Sequence, residues 1–360
     1  MAKILLRDIA KKFGETIAVN NLNLEISDGE FVCLLGPSGS GKTTTLRLIA
    51  GLENPSSGEI YIGDRLVNDL SPRERDVAMV FQFPVIYPGL TVYDNMAFPL
   101  EQRGYKKKEV KDQVNKIAKR LAISNLLGEM ASGLDADVRQ RVALGRALVR
   151  EPAALLLDEA LTSLDLRTKL LMIAELKKLH EELNQTTVYV SHDQSEAMMM
   201  ADRIALLESG NLQQYDMPGE LYGNPKNLFV AGFIGSPPMN FIECNFDEKK
   251  GCVTALDFER YISDFREDVK EKIRSSELIL GVRPEDISIH KASEKKHDLK
   301  GKVEMVQFGG DRLSLNILLD GRNINAISPR NVKVVEGEEV HLEFKRFHLF
   351  DRQTGKVISG

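Results

Sequence analysis

Gly36, Pro37, Ser38, Gly39, Ser40, Gly41, Lys42 and Thr43 satisfy the pattern G-x-x-x-x-G-K-[ST] in full, with Thr44 next in line. The chemistry such a run supports is the grip of a polyphosphate. Its glycines let successive backbone N–H groups converge on phosphate oxygens, and a helix opening behind them adds its positive N-terminal end. Lys42 supplies a point charge for the outer phosphates, and Thr43 a hydroxyl for a magnesium ion. Further on, Leu155, Leu156 and Leu157 lead into Asp158 and Glu159. A carboxylate at the end of a buried strand holds magnesium through water, and the next one polarises an attacking water. Many strands end in two carboxylates; the phosphate pattern upstream is what gives this pair a meaning.

These residues need particular elements around them. Phe31 to Leu35 form a continuous apolar run ahead of the loop, as a buried strand does, and 42–52 reads as the helix the loop opens. Similar short runs at 153–157 and 187–190 end at Asp158 and at Ser191, His192 and Asp193. Helical spacing marks 106–122, 139–150 and 166–183. In the first of these Val110, Val114, Ile117, Ala118 and Leu121 make the stripe of an amphipathic helix packed on its own domain, its lysines solvated. Further strands are expected around Ile4, Leu6 and Ile9, around Val19, Leu22, Leu24 and Ile26, and at 60–67 and 77–81. Strands alternating with helices predict a mostly parallel sheet covered on both faces. Around Gly235, Ser236, Pro237 and Pro238 the character changes. Short β-like pieces at 278–282, 302–307, 313–318 and 340–344, separated by glycine turns, predict a small all-β domain of one or two barrels. The expected division is 1–235 and 236–360, with a helical subdomain at about 86–150.

Composition bounds the class. The chain has 360 residues, 42% hydrophobic and 28% charged, which suits a folded protein of two domains. Its net charge of -5 argues against a general nucleic-acid binder, although a local basic patch is compatible with an acidic total. Cys33, Cys244 and Cys252 are widely spaced and odd in number, which suggests neither a zinc site nor a disulfide framework and fits a reducing compartment. The N-terminus breaks into charge within the first eight residues, unlike a secretory signal, and no apolar run approaches the ~20 residues that span a bilayer.

With these residues the sequence resembles the ATP-binding cassette (ABC) subunits of membrane transporters. The resemblance implies an α/β P-loop NTPase cassette with a helical subdomain, followed by an all-β OB-type (TOBE-like) C-terminal domain. Gln82, after Val80 and Phe81, resembles the family's Q-loop glutamine, which reaches magnesium and senses the membrane partner. His192 resembles the switch histidine at the terminal phosphate, and Ser163, Leu164 and Asp165 the loop that crosses to the other subunit. Phe13 sits where the family stacks an aromatic ring on adenine, and is otherwise a core aromatic. The run from Phe229 to Phe241, Gly281 to Glu285 and His348 to Asp351 are similar to the carbohydrate-import branch, typified by the maltose and glycerol-phosphate importers. By this resemblance ATP and Mg2+ are the ligands. Glu159, His192 and Lys42 are the catalytic group, and Thr43, Asp158 and Gln82 surround the metal. Transmembrane permease subunits are the direct partners, an extracytoplasmic solute-binding protein is an indirect one, and no nucleic acid is expected. The place of work is the cytoplasmic face of the inner membrane, peripherally. The stretch 83–100 is like the surface that receives permease helices, and its Val85, Ile86, Tyr87 and Phe98 admit a core reading as well. A nucleic-acid-directed cassette ATPase usually carries coiled-coil insertions, zinc modules or tandem cassettes, none of which is evident. A mainly regulatory subunit would not need Glu159 and His192.

One stretch departs from the family. Its signature, Leu-Ser-Gly-Gly-Gln, precedes a Gln-Arg-Val-Ala-Leu helix; here the corresponding positions hold Leu134, Asp135, Ala136, Asp137 and Val138. In the family this loop caps the ATP held by the opposite subunit. An ionised aspartate accepts where serine donates. Two like charges ~4 Å apart repel by about 1 kcal/mol in water and about 4 kcal/mol at an effective dielectric near 20. Asp135 also suits the N-cap of the following helix, worth ~1 kcal/mol. Ala160, Thr162 and Ser163 are milder departures. Because each site joins one subunit's loop to the other's signature, the expected partner is a second ABC ATPase with an intact signature, the alternative being a homodimer with two weakened sites.

Overall fold

The computed structural model describes residues 2–162, 164–255, 258–261, 269–291 and 299–359. They form two compact units, Met1–Pro218 and Gly219–Gly360. The expected boundary lay at 235/236; by packing, the helix Leu228–Phe233 belongs with the second unit, where Ala231 shares a small core with Met239 and Phe350.

In chain order the first unit holds β1 (Ile4–Phe13), β2 (Thr16–Ile26), β3 (Phe31–Leu35), α1 (Lys42–Ala50), β4 (Ser57–Ile62), β5 (Arg65–Leu66) and β6 (Val77–Val80). The helical insertion follows as α2 (Val92–Glu101), α3 (Lys107–Arg120) and α4 (Ala136–Leu148). The chain then returns through β7 (Ala154–Asp158), α5 (Leu166–Leu183), β8 (Thr187–Ser191), α6 (Gln194–Met200), β9 (Arg203–Glu208) and β10 (Asn211–Asp216). Among the described residues these strands make two sheets. One is antiparallel, in the order β2-β1-β4-β5; the other runs β10-β9-β3-β8-β7-β6. In the second, β3, β6, β7, β8 and β9 pair in parallel and only β10 is antiparallel. β3, β7 and β8 are buried at all five positions, as strands covered on both faces must be.

The amphipathic alternation of β1 turns Ile4, Leu6 and Ile9 inward. They meet Leu46, Leu48 and Ile49 of α1 and Val32, Leu34, Leu156 and Val188 of the parallel sheet in one core. So α1 is held by both sheets. It ends at Ala50 rather than 52 because Gly51 takes a left-handed conformation (φ +77°) and returns its N–H to Arg47 and Leu48. The guanidinium of Arg75, 2% exposed, donates to the carbonyls of Ile49 (3.2 Å) and Leu48 (2.6 Å) at the helix end, the second shared with the Gly51 N–H. The strand expected at 60–67 is two pieces, parted at Gly63 (φ +63°).

The second unit contains a six-stranded and a five-stranded sheet among its described residues, all pairings antiparallel. Leu278, Leu280 and Val282 of the first sheet and Val303, Ile317 and Leu342 of the second share a single core. The expected strands at 278–282, 302–307, 313–318 and 340–344 are Glu277–Val282, Leu299–Phe308, Arg312–Leu319 and Glu339–Phe344. No helix of the described residues is long and apolar enough to cross a membrane.

Candidate nucleotide site

Strand register brings the chemistry together. Leu35 lies opposite Ser191, and Val190 opposite Asp158, so β3, β7 and β8 end on one edge of the parallel sheet. The glycine loop leaves β3 there, Glu159 follows β7 and His192 follows β8. Ligands of open α/β sheets bind at this carboxyl edge.

The loop is shaped by positions that exclude side chains. A Cβ at Gly36 (φ +150°) would lie 2.1 Å from the Leu207 carbonyl oxygen, and one at Gly41 (φ +99°) 2.4 Å from that of Ala18. The Ser40 carbonyl accepts from Gly210 N–H at 3.1 Å, which ties the loop to the β9–β10 turn. Lys42 curls back into the loop: its Nζ donates to the carbonyls of Gly36 (2.9 Å) and Pro37 (2.8 Å) and to Ser40 Oγ (3.4 Å). Burial lowers the pKa of this ammonium, opposed by the charge of Glu159.

Thr43, in the first turn of α1, donates from Oγ1 to Asp158 Oδ1 at 3.3 Å. Burial raises the Asp158 pKa, and the Thr43 hydrogen bond pulls it down. Glu159 has a left-handed backbone (φ +47°), and its N–H donates to the Val190 carbonyl at 3.0 Å. For a residue with a Cβ such a conformation costs about 1–2 kcal/mol. Here it aims the carboxylate at the pocket, where its Oε1 lies 3.4 Å from His192 Nδ1.

A cavity of about 600 Å³ opens over the loop. Ser38, Gly39, Ser40, Gly41, Lys42, Thr43 and Thr44 make its floor, Glu159 and His192 one side, and Phe13, 47% exposed, the other. The ring of Phe13 is therefore a wall rather than core, with Lys11 Nζ 4.6 Å from its centroid. Gly36 and Pro37 shape the loop from behind, and Asp158 reaches the cavity through Thr43. Gln82 follows β6, the strand beside β7, and does not line the cavity.

The divergent stretch also has a definite geometry. The helix expected from 139 begins at Ala136, so residues 136–138 are its first turn. Asp135 occupies the N-cap position, yet its side chain accepts no capping hydrogen bond, so the expected capping contribution is absent. Asp137 is paired: Arg141 Nε lies 3.2 Å from its Oδ2, and Arg141 also binds Glu175 and the Leu121 carbonyl. One exposed carboxylate, that of Asp135, is left unpaired among the described residues, where two had been expected. Ser163 lies outside the described residues. Sequence reading also passed over the half-buried Lys169 and its buried partner Glu196, which flank the His192 loop. The one local signal was an acid in the first turn of a helix opened by Asp193.

A parallel sheet with a glycine loop, lysine, threonine and acid pair at its carboxyl edge defines a P-loop nucleotide triphosphatase cassette. The model of the ABC transporter family matches residues 19–162, that of the MalK OB fold domain 235–287, and that of the TOBE domain 280–350. The chain is 45% identical to the trehalose/maltose import ATP-binding protein MalK of Thermococcus litoralis, over 99% of this chain and 100% of that one. It is 43% identical to the osmoprotective compounds uptake ATP-binding protein GgtA of Synechocystis (99% and 100% covered), and 41% to the xylose/arabinose import ATP-binding protein XacJ of Haloferax volcanii (99% and 96%). Among solved structures, the dimeric post-hydrolysis state of the ATP-binding cassette MJ0796 bound to ADP and Pi matches with a TM-score of 0.54 and 33% identity, covering 60% of this chain and 98% of that one. The chain belongs to the ABC transporter ATP-binding family, with MalK-type OB and TOBE domains after the cassette, and is a transport ATPase.

Proposed function

We propose that this chain hydrolyses Mg2+-bound ATP to drive import of a carbohydrate, polyol or glycerol-type solute, docked peripherally on the cytoplasmic face of the membrane against permease subunits. The observation that carries the reading is the meeting of Lys42, Thr43, Glu159 and His192 around one cavity, in a chain whose relatives are import ATP-binding proteins along their whole length.

The roles follow from placement. Backbone N–H groups of the glycine loop and the N-terminus of α1 hold the phosphates. Lys42 exchanges loop carbonyls for phosphate oxygens. Phe13 offers its face to the base. Glu159 orients or deprotonates the attacking water, and His192, beside it, stabilises charge on the transferring phosphoryl. Thr43 and Asp158 present a hydroxyl and a carboxylate 3.3 Å apart. Such hard oxygen donors suit Mg2+, which keeps several waters and takes few protein ligands. Gln82 is assigned as a further donor by family resemblance. The ion, when bound, neutralises phosphate charge. Catalysis of this kind is mostly positioning and electrostatics.

For the permease, the segment after Gln82 offers a groove of about 270 Å³ whose lining includes Phe81, Val85, Pro99 and Arg146. Phe83 stands 73% exposed beside it. Tyr87 and Phe98 pack on each other with ring centroids 5.0 Å apart and serve as its support.

For the second ATPase, the intact loop of this chain combined with Asp135 in its signature favours an unlike pair. This chain's loop then belongs to the hydrolysing site, and the partner's loop faces residues 134–138 and turns over little. Mass measurement of the transporter purified from membranes tests both parts. A second cassette subunit and permease subunits are expected in it. Two copies of this chain with no second ATPase rule out the unlike pair, and absence of membrane subunits overturns the docking.

A further inference from the structure

One buried carboxylate is not used by the cleavage chemistry. Glu196, in the first turn of α6, is 1% exposed. Its Oε2 accepts from Tyr189 Oη at 2.5 Å and from Ser191 Oγ at 2.7 Å, and Lys169 Nζ lies 2.8 Å from its Oε1. A carboxylate this far from water persists only where it is paired and hydrogen-bonded. Glu196 is both.

The same pair holds the chain on each side of His192. Ser191, just before it, donates to Glu196; Asp193, just after it, lies with Oδ2 3.4 Å from Lys169 Nζ. The Asp193 N–H donates to Ser191 Oγ at 2.9 Å, closing the loop on itself, and Asp193 Oδ1 accepts from Ser195 N–H at 2.9 Å at the start of α6. The His192 side chain is 54% exposed, and its one ion-pair contact among the described residues is Glu159. Packing therefore does not enclose its imidazole, while the backbone that carries it is held through both peptide neighbours. Lys169 stands at the start of α5, its N–H bonded to the carbonyl of the N-cap residue Asp165 at 2.8 Å.

We propose that Lys169 and Glu196 are positioning residues for His192, a half-buried ion pair that sets the switch loop from α5 and thereby links the histidine to the helix opened by Asp165. The inference rests on the assignment of His192 to the terminal phosphate. A positioning role predicts loss of turnover without loss of nucleotide affinity, because displacing a reacting group by about 1 Å costs on the order of a hundredfold in rate.

The test compares Glu196→Gln, Ser191→Ala and His192→Ala, singly and combined, in the full chain assembled with its partners. Glu196→Gln is expected to lower kcat by roughly ten- to a hundredfold with KM for ATP within about twofold. Ser191→Ala, a milder change that keeps the ion pair, lowers kcat in the same sense and serves if the first variant does not fold. Either change is expected to have no further effect in the His192→Ala background. An equal loss in both backgrounds, or unchanged kcat in the single variants, overturns the proposal. Unchanged kcat in His192→Ala alone would instead sink the assignment on which it rests.

Discussion

Glu159 combines an acid side chain with a left-handed backbone that most residues avoid. The strain is offset by the hydrogen bond to Val190, and its result is a carboxylate pointed into the phosphate cavity rather than along the strand. Glu159→Gln keeps that shape and removes the base, so ATP affinity is expected to stay within about twofold while turnover falls by roughly 10²–10⁴. Near-normal hydrolysis by this variant would refute the base assignment. Lys42→Ala removes a charge-assisted contact worth about 1.5–3 kcal/mol, so nucleotide binding itself should weaken about ten- to a hundredfold in a calorimetric titration. Asp135 carries the opposite sign. Asp135→Ser removes a carboxylate from the loop facing the partner's nucleotide and should tighten binding there by at least about 1 kcal/mol, or roughly fivefold. Unaltered affinity at that site would show that the loop does not face it. The sequence displays Asp135 and Asp137 as equals. The start of α4 at Ala136 separates a compensated charge from a free one: it puts Asp137 inside the helix, four residues before Arg141, which Glu175 of α5 also holds, and leaves Asp135 outside.

The loop-bearing helix α1 shows how an element is terminated by residues far from it. Gly51 permits the left-handed turn, and Arg75, from the chain beyond β5, fills the space a Cβ would need, its Nε 2.6 Å from that point. The guanidinium satisfies the Ile49 carbonyl and adds a second bond to that of Leu48, which Gly51 N–H also reaches. Arg75→Met should therefore cost about 1–3 kcal/mol in denaturant unfolding, and a change below half a kilocalorie per mole would show that water replaces it. Helix and strand types were legible wherever periodicity was long, as in α3, whose Val110, Val114, Ile117 and Ala118 are all buried. Ends were not. The start of α4 at Ala136 and the break at Gly63 depend on backbone conformation that side-chain spacing does not encode.

At the scale of the molecule, the two units have separate cores. The second is organised around its own buried residues. Arg283, buried, donates to the carbonyls of Ala231 and Tyr222 and so holds the helix Leu228–Phe233 within that unit. Nearby, burial lowers the pKa of His348, helped by Arg283 and Arg346 and opposed by Asp286. A histidine kept neutral in the fold and free to charge on unfolding withdraws stability as pH falls below its ordinary value of 6.5. The melting transition of this unit should move down between pH 7 and pH 5, and move less in His348→Gln; equal shifts in the two proteins would remove His348 as a cause.

The sequence by itself determined the phosphate loop, the acid pair, the histidine and the parallel sheet, because spacing rules and apolar runs are local and survive in one dimension. It also showed that a β-rich region follows the cassette. Tertiary structure decided what depends on residues distant in the chain: that Phe13 is a wall and not core, that Arg75 closes the end of α1, and that Lys169 and Glu196 grip the neighbours of His192. Charge compensation and burial are sums over all neighbours in space, and no short window of sequence contains them.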